Sequence, residues 1–403
     1  MKIASVVGAR PQFIKLAPLA IGVEEYNAGR PAESIEHVIL HTGQHYDHEM
    51  DRVFFDELGI PEPGYNLGVG SGTHGRQTAE MLMKIEPILL RERPDWTLVY
   101  GDTNSTLAGA LAAAKLRLPL AHVEAGLRSF NRAMPEEMNR ILADRAADLL
   151  LCPTATAVRN LRAEGFDQVL SRGGLFRPSS LRRAAWTLPF PLVINVGDIM
   201  YDALLFAAAA AEKKSGILEK LALTPGGYIL ATIHRAENTD RPEILRSLTE
   251  ALAEIQAKIM PVVFALHPRT RAALEKARLY DRLAKRVTLI DPPPGYHEIL
   301  VLEKNAAKIL TDSGGVQKEA YFLGVPCVTL RNETEWVETT AGRRNIIAGA
   351  ERAGILRAVR ERAPERPKTR ACPYGRGEAR KLILEALIGL RPKIADRTDA
   401  GIR

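Results

Sequence analysis

The sequence predicts an α/β protein built from two doubly wound parallel-sheet domains. Three observations carry the prediction. Short apolar runs alternate with helical segments along the whole chain, the pattern of βαβ units. The chain has 403 residues, enough for two domains that each bury a core. Polar and small residues collect directly after the apolar runs, where open α/β sheets place their ligand sites.

In chain order, the apolar runs predict strands at 3–7, 38–40, 97–100, 120–123, 149–152 and 193–196 in the first half. The second half carries runs at 228–232, 262–266, 287–290, 308–310 and 327–330. A linker near 197–203 divides the chain into domains at 1–197 and 198–371. Residues 372–403 are expected to form a C-terminal helix and tail that return to the first domain. The strand ends read "GARPQ", "HTGQH", "GDTNS" and "EAGLR", then "HRAEN", "HPRT", "TDSGG" and "RNETEW". Two such sheets facing each other would line one cleft with these turns.

Bulk properties exclude several classes. Hydrophobic residues make up 46% of the chain and charged residues 26%, ordinary for a soluble α/β protein. The net charge of +7 is concentrated at the end. From Arg343 onward 16 Lys/Arg stand against 7 Asp/Glu, which leaves the first 342 residues at −2. No aromatic-interleaved basic stripe accompanies that surplus, so no nucleic-acid partner is expected. The longest apolar stretch, around 204–211, falls short of the ~20 residues a membrane span needs. The opening "MKIASVVGARPQF" runs into a strand pattern without a signal-peptide layout, so a cytoplasmic location is expected. Cys152, Cys327 and Cys372 are far apart and indicate neither a disulfide framework nor a zinc site. His41, His45 and His48 straddle a strand end without a matching carboxylate pattern, so no metal is expected there.

Six motifs carry the chemistry. "GARPQFIK" puts Arg10 and Lys15 at the first strand-to-helix turn, two cations beside a helix N-terminus that suit a phosphate. Gly-x-Gly-x-x-Gly follows none of the strands predicted from the apolar runs, so no nicotinamide cofactor is expected. "GDTNST" places Asp102 between a strand and an alanine-rich helix that must pack closely, and a helix cap is the plainer role for that residue. "HVEAGLRS" and "MPEEMNR" add Glu124, Arg128, Glu136 and Glu137 after the next strand. Carboxylates crowded together would have their pKa values pushed apart, as acid and base roles require. In the second half, "HRAEN" supplies His234 and Arg235. "ILTDSGGVQKEA" runs from a strand through Ser313, Gly314 and Gly315 into a helix that ends at Gly324. The unpartnered N–H groups at that helix start make a ready anion seat.

Taken together, "GARPQFIK", "GDTNST", "HVEAGLRS", "PEEMNR", "HRAEN", "LTDSGGVQKEA" and "TEW" resemble the non-hydrolysing UDP-N-acetylglucosamine 2-epimerases, in order, over most of residues 1–350. The resemblance implies two Rossmann-like domains of the glycosyltransferase-B type, a homodimer, and UDP held in the interdomain cleft. Position by position, it implies that Ser313, Gly314 and Gly315 hold the diphosphate and that Glu319 takes the ribose hydroxyls. Arg10, Lys15 and His234 would line the phosphate side, and Arg331 would make a further substrate contact. Asp102, Glu124 and Glu136 match the family's acid/base residues.

The chain departs from the family pattern in four places. Thr334-Glu335-Trp336-Val337-Glu338 stands where many members read Thr-Glu-Arg-Pro-Glu, and looks more like the branch acting on UDP-2,3-diacetamido-glucuronic acid. Residues 167–192 are longer and more basic than the usual connection. Cys372-Pro-Tyr-Gly-Arg376 replaces a motif that typically holds Asn and Asp. Gln44-His45-Tyr46-Asp47 replaces a Gln-His-x-Gln element linked to activation by substrate. The implied reaction interconverts UDP-GlcNAc and UDP-ManNAc by loss and return of UDP through a glycal, without a cofactor. Besides the diacetamido-uronic substrate, the alternatives are a glycosyltransferase, a hydrolysing epimerase and a catalytically inert nucleotide-sugar-binding protein.

Overall fold

The computed structural model describes residues 1–44, 55, 57–180, 191–362 and 372–390. The chain divides into two compact units, residues 1–203 with 372–403, and residues 204–371. The first unit holds a seven-stranded sheet of β1 (Lys2–Val7), β2 (Glu36–His41), β3 (Tyr65–Asn66), β4 (Trp96–Tyr100), β5 (Leu120–Val123), β6 (Leu149–Cys152) and β7 (Leu192–Asn195). Its order is β3-β2-β1-β4-β5-β6-β7, with every pairing parallel. Helices cover both faces, so the central strands are apolar on both sides. Ile3, Ala4, Val6 and Val7 of β1 are wholly or almost wholly buried.

The chain winds outward from β1 to β3 and then returns to lay β4 on the other side of β1. Between β1 and β4 the winding reverses, the position at which open α/β sheets place their ligand sites. Arg10 and Asp102 follow these two strands.

The second unit repeats the plan with six parallel strands: β8 (Ile229–Ile233), β9 (Val262–Leu266), β10 (Thr288–Ile290), β11 (Lys308–Thr311), β12 (Cys327–Thr329) and β13 (Asn345–Ile347). Their order is β10-β9-β8-β11-β12-β13. Its switch point lies between β8 and β11, where Thr232 and Thr311 are in register and their hydroxyls are 2.6 Å apart. The core of this unit packs Leu245, Leu248, Leu252 and Ile255 of the helix Pro242–Lys258 against Val262, Phe264 and Leu266. That helical spacing presents one apolar stripe to the sheet.

Eleven strands lie where the apolar runs place them, within two residues at either end. The two extra strands, β3 and β13, are both sheet edges of two and three residues. Edge strands this short bury too little to need an apolar run, so pattern reading passes over them. The alanine-rich helix Asn104–Lys115 does pack tightly: a Cβ on its Gly109 would lie 3.0 Å from Val99 and 3.1 Å from Val6. The helix Gly314–Leu323 ends on Gly324 at φ +78°, the left-handed stop expected there.

The last described helix, Ala379–Gly389, packs on Arg10–Ala28 in the first unit. Asp202, on the helix Ile199–Lys214, caps its start by accepting the N–H groups of Ala379 and Arg380, each at 3.0 Å. Trp96 Nε1 donates to Leu387 O near its other end at 3.0 Å. No helix among the described residues is long and apolar enough to cross a membrane.

Candidate active site

Each unit gathers candidate residues at its own switch point. In the first, Gln12 ties the two turns together. Its Oε1 accepts the N–H groups of Gly8 and Ala9 at 2.8 and 3.2 Å, and its Nε2 donates to Tyr100 O at 3.0 Å. Arg10 stands partly exposed at the first position of the helix Arg10–Ala28. Lys15, one and a half turns further, is buried and ion-paired through Nζ with Glu124 Oε2. Gly101 lies over that pair: a Cβ there would sit 2.6 Å from Lys15 Nζ and 3.0 Å from Glu124 Oε2, and its φ is +63°. Only glycine leaves room for the pair and adopts this turn without strain.

Glu124 is itself in the left-handed region at φ +74°, a strained setting for a glutamate. Its N–H and that of Ala125 both donate to Leu151 O, which holds the turn in place. Beneath it, buried His122 joins the turns of two strands. Its Nε2 donates to Gly101 O at 2.7 Å, and its Nδ1 meets Asp144 Oδ1 at 2.7 Å. Burial pushes the Asp144 carboxyl up, but the His122 and Arg128 charges outweigh it and hold the group below the usual range.

Arg128 belongs to this internal scaffold. Its guanidinium is 1% exposed and pairs with Asp144 at 2.7 Å and with both Glu164 oxygens at 2.6 and 2.9 Å. Arg128, read from sequence as a candidate substrate-binding residue with Arg235, has its fork occupied by these carboxylates in this structure.

Asp102 remains 29% exposed and pairs with Arg140 Nη2 at 2.5 Å, while its own carbonyl accepts from Asn139 Nδ2 at 2.9 Å. Arg140 is buried, and its Nη1 reaches Glu137 at 2.8 Å. Glu136, in the first turn of the helix Pro135–Ala146, is partly exposed, whereas Glu137 is 1% exposed and turned inward. Two of the three candidate carboxylates thus have a cation of their own, Lys15 beside Glu124 and Arg140 beside Asp102.

In the second unit, Asp312 organises the turns. It is fully buried and accepts the N–H groups of His234 and Arg235 at 3.0 Å each and Asn238 Nδ2 at 2.9 Å. His234 keeps 35% of its side chain exposed, with Nδ1 3.4 Å from Asp312, and its ring lies against that of His267 at 5.3 Å between centroids. Ser313 caps the helix Gly314–Leu323, its Oγ accepting from Val316 N at 3.5 Å. A Cβ on Gly314 would sit 2.7 Å from Glu335 Oε1 and 3.0 Å from Trp336 Nε1, so the backbone can approach there only as glycine. Gly315 follows in the first turn.

Glu319, on the same helix, is buried and accepts from Tyr296 OH at 3.0 Å. Arg331 pairs with Glu335 at 3.0 Å and Glu237 at 3.3 Å, and Arg235 lies 4.0 Å from Glu335. Lys318, fully buried, stands 3.7 Å over the Trp336 ring.

Gln12, His122, Arg140, Asp144, Asp312 and Tyr296 are the supporting residues that sequence reading passed over. Gln12 and Asp312 sat inside quoted motifs, and a polar residue flanked by glycine turns was the available signal. His45, Asp47 and His48 lie outside the described residues. Gln44 is described, and its Oε1 accepts from Ser105 Oγ at 2.7 Å and from its N–H at 3.1 Å. Among the described residues no cluster of three His, Cys, Asp or Glu could hold a metal.

Two doubly wound parallel sheets with polar turns at both switch points define a protein of the glycosyltransferase-B fold type, the class of a solved UDP-GlcNAc 2-epimerase from Methanocaldococcus jannaschii in complex with UDP-GlcNAc and UDP. That structure aligns with a TM-score of 0.82 at 41% identity, covering 96% of this chain and 99% of its own. The sequence model of the UDP-N-acetylglucosamine 2-epimerases matches residues 27–388, and the chain belongs to that family, as a nucleotide-sugar isomerase. A UDP-N-acetylglucosamine 2-epimerase homolog from Methanococcus maripaludis is 51% identical over 97% of this chain and the whole of its own length. A UDP-2,3-diacetamido-2,3-dideoxy-D-glucuronate 2-epimerase from Pseudomonas aeruginosa is 47% identical over 97% of this chain and likewise its whole length.

Proposed function

We propose that the protein interconverts UDP-N-acetylglucosamine and UDP-N-acetylmannosamine by eliminating and re-adding UDP. The observation that supports it is that the two units carry different chemistry at their switch points. One switch point carries a serine-glycine helix start, and the other carries Asp102 and Glu124 beside their own cations. The chemistry needs both. The C2 hydrogen has no adjacent carbonyl to acidify it, so the C1–O bond to UDP ionises first. A carboxylate then takes the C2 proton, the C–H electron pair becomes the C1=C2 bond of a glycal, and UDP is held. Proton delivery to the other face of C2 and return of UDP to C1 complete the inversion.

In this reading the N–H groups after Ser313, together with Gly314, Gly315, His234 and Arg235, stabilise the departing diphosphate. Glu319 takes the ribose, and Arg10 and Arg331 complete the substrate contacts. Asp102, Glu124 and Glu136 handle the protons. Lys15 is assigned to holding Glu124 as well as to the phosphate side. The protein works as a cytoplasmic homodimer.

A second substrate, the 2,3-diacetamido-uronic nucleotide sugar, is favoured by one observation. Its named epimerase is 47% identical, above the 41% of the Methanocaldococcus jannaschii UDP-N-acetylglucosamine 2-epimerase. Proton NMR of the purified protein with each nucleotide sugar separates the two. The manno-configured product from UDP-N-acetylglucosamine supports the first reading. Turnover of the diacetamido-uronic sugar alone transfers the assignment to the second.

A further inference from the structure

Phe130 carries two unfavourable features at once. Its side chain is 76% exposed, and its backbone sits at φ +61°, where a large L-residue is strained and glycine or asparagine is at ease. The turn it occupies is nonetheless tightly held. The N–H groups of Ser129 and Phe130 both donate to the Glu137 carboxylate at 2.9 Å, and Ser129 Oγ joins them at 3.1 Å. Glu137 is buried, and its Oε2 accepts from Arg140 Nη1 at 2.8 Å. Arg140 is buried too, and its Nη2 donates to Asp102 at 2.5 Å. Three polar contacts through two buried side chains therefore connect the backbone of Phe130 to Asp102. A residue held so firmly in a costly conformation, with its ring in water, has its partner outside the fold.

We propose that Phe130 is a specificity-determining residue whose ring lies against the C–H face of the substrate's sugar, and that Glu137 and Arg140 position it relative to Asp102. The inference deepens the epimerase reading and rests on it. The sugar is the expected partner because the linkage leads to the proton-handling carboxylate rather than to the helix start in the other unit. An acylamino pyranose presents C–H and methyl groups on one face, and an aromatic ring removes such surface from water.

The test compares Phe130→Ala and Phe130→Tyr with the wild type in epimerase kinetics, calorimetric binding of UDP-N-acetylglucosamine, the diacetamido-uronic nucleotide sugar and UDP alone, and thermal melting. Phe130→Ala is expected to weaken the preferred nucleotide sugar about tenfold while leaving UDP affinity and the melting midpoint unchanged. Phe130→Tyr is expected to restore most of the loss. Unchanged nucleotide-sugar affinity, an equal loss for UDP, a lowered melting midpoint or an altered oligomeric state in Phe130→Ala each overturns the proposal. If the wild type turns over neither sugar, the epimerase reading falls, and the affinity ratio of nucleotide sugar to UDP still decides the role of Phe130. A wild type that binds neither nucleotide sugar overturns both.

Discussion

Asp102, Glu124 and Glu136 occupy three different settings, and chemistry follows the setting. Glu124 is buried against Lys15, Asp102 is part-exposed against Arg140, and Glu136 stands in the first turn of a helix whose start favours negative charge. If they handle protons, removing one should affect turnover before binding. Glu136→Gln is expected to lower kcat by about 100-fold or more with UDP affinity unchanged. Glu319→Ala is expected to do the reverse, weakening UDP by about tenfold, because a ribose contact is alike in ground and transition states. Steady-state kinetics and UDP calorimetry on both variants check this. The outcome that defeats the assignment is two variants that bind and turn over like the wild type. Arg128 makes a contrasting case. Its removal leaves buried Asp144 without one cation, so Arg128→Ala is expected to cost about 3–5 kcal/mol of stability, read as a lower denaturation midpoint.

At the scale of elements, the last helix is tied to the first unit through a group with a perturbed titration. Burial raises the Asp202 carboxyl from 3.8 to about 6, against the hydrogen bonds from the Arg380 and Ala379 N–H groups and the Arg380 charge, while nearby Asp198 adds to the rise. The folded protein therefore holds this proton more tightly than the unfolded chain does. The stability that this proton contributes is fully present below about pH 4 and is lost as pH rises towards 6. A shift of this size corresponds to about 3 kcal/mol, as an order of magnitude. Asp202→Asn keeps an acceptor for the helix cap but cannot titrate. The stability of wild type relative to Asp202→Asn, from urea unfolding, is expected to fall between pH 4 and pH 6 and to level off above it. A flat difference across that range refutes the assignment.

For the whole molecule, the elimination route makes an isotopic demand. Turnover in D₂O without added nicotinamide or metal is expected to place deuterium at C2 of the product, checked by NMR. Retained C2 hydrogen would exclude exchange with solvent and with it this mechanism. Asp47 lies outside the described residues, and the expectation drawn from its sequence position, a carboxylate in place of the glutamine of Gln-His-x-Gln, is weakened activation by a second diphosphate ligand. Hyperbolic rate curves and a reverse reaction that runs without added forward substrate are expected. Sigmoidal curves in rate measurements would contradict this.

Much of this protein is legible from residue order. A strand buried on both faces must be an unbroken apolar run, and a parallel connection needs a helix, so eleven strands and the two-sheet plan follow from pattern alone. The helix start proposed to hold the diphosphate is legible for the same local reason, since Ser313-Gly314-Gly315 is turn and helix start in consecutive residues. What only the tertiary structure decided is which charge meets which. Lys15 meets Glu124 across 109 positions, and Asp312 accepts the His234 N–H across 78. Arg128 meets Asp144 and Glu164 only once the chain has folded. The energy of a charge depends on its solvent exposure and its partner, and both are set by strand order rather than by neighbours along the chain.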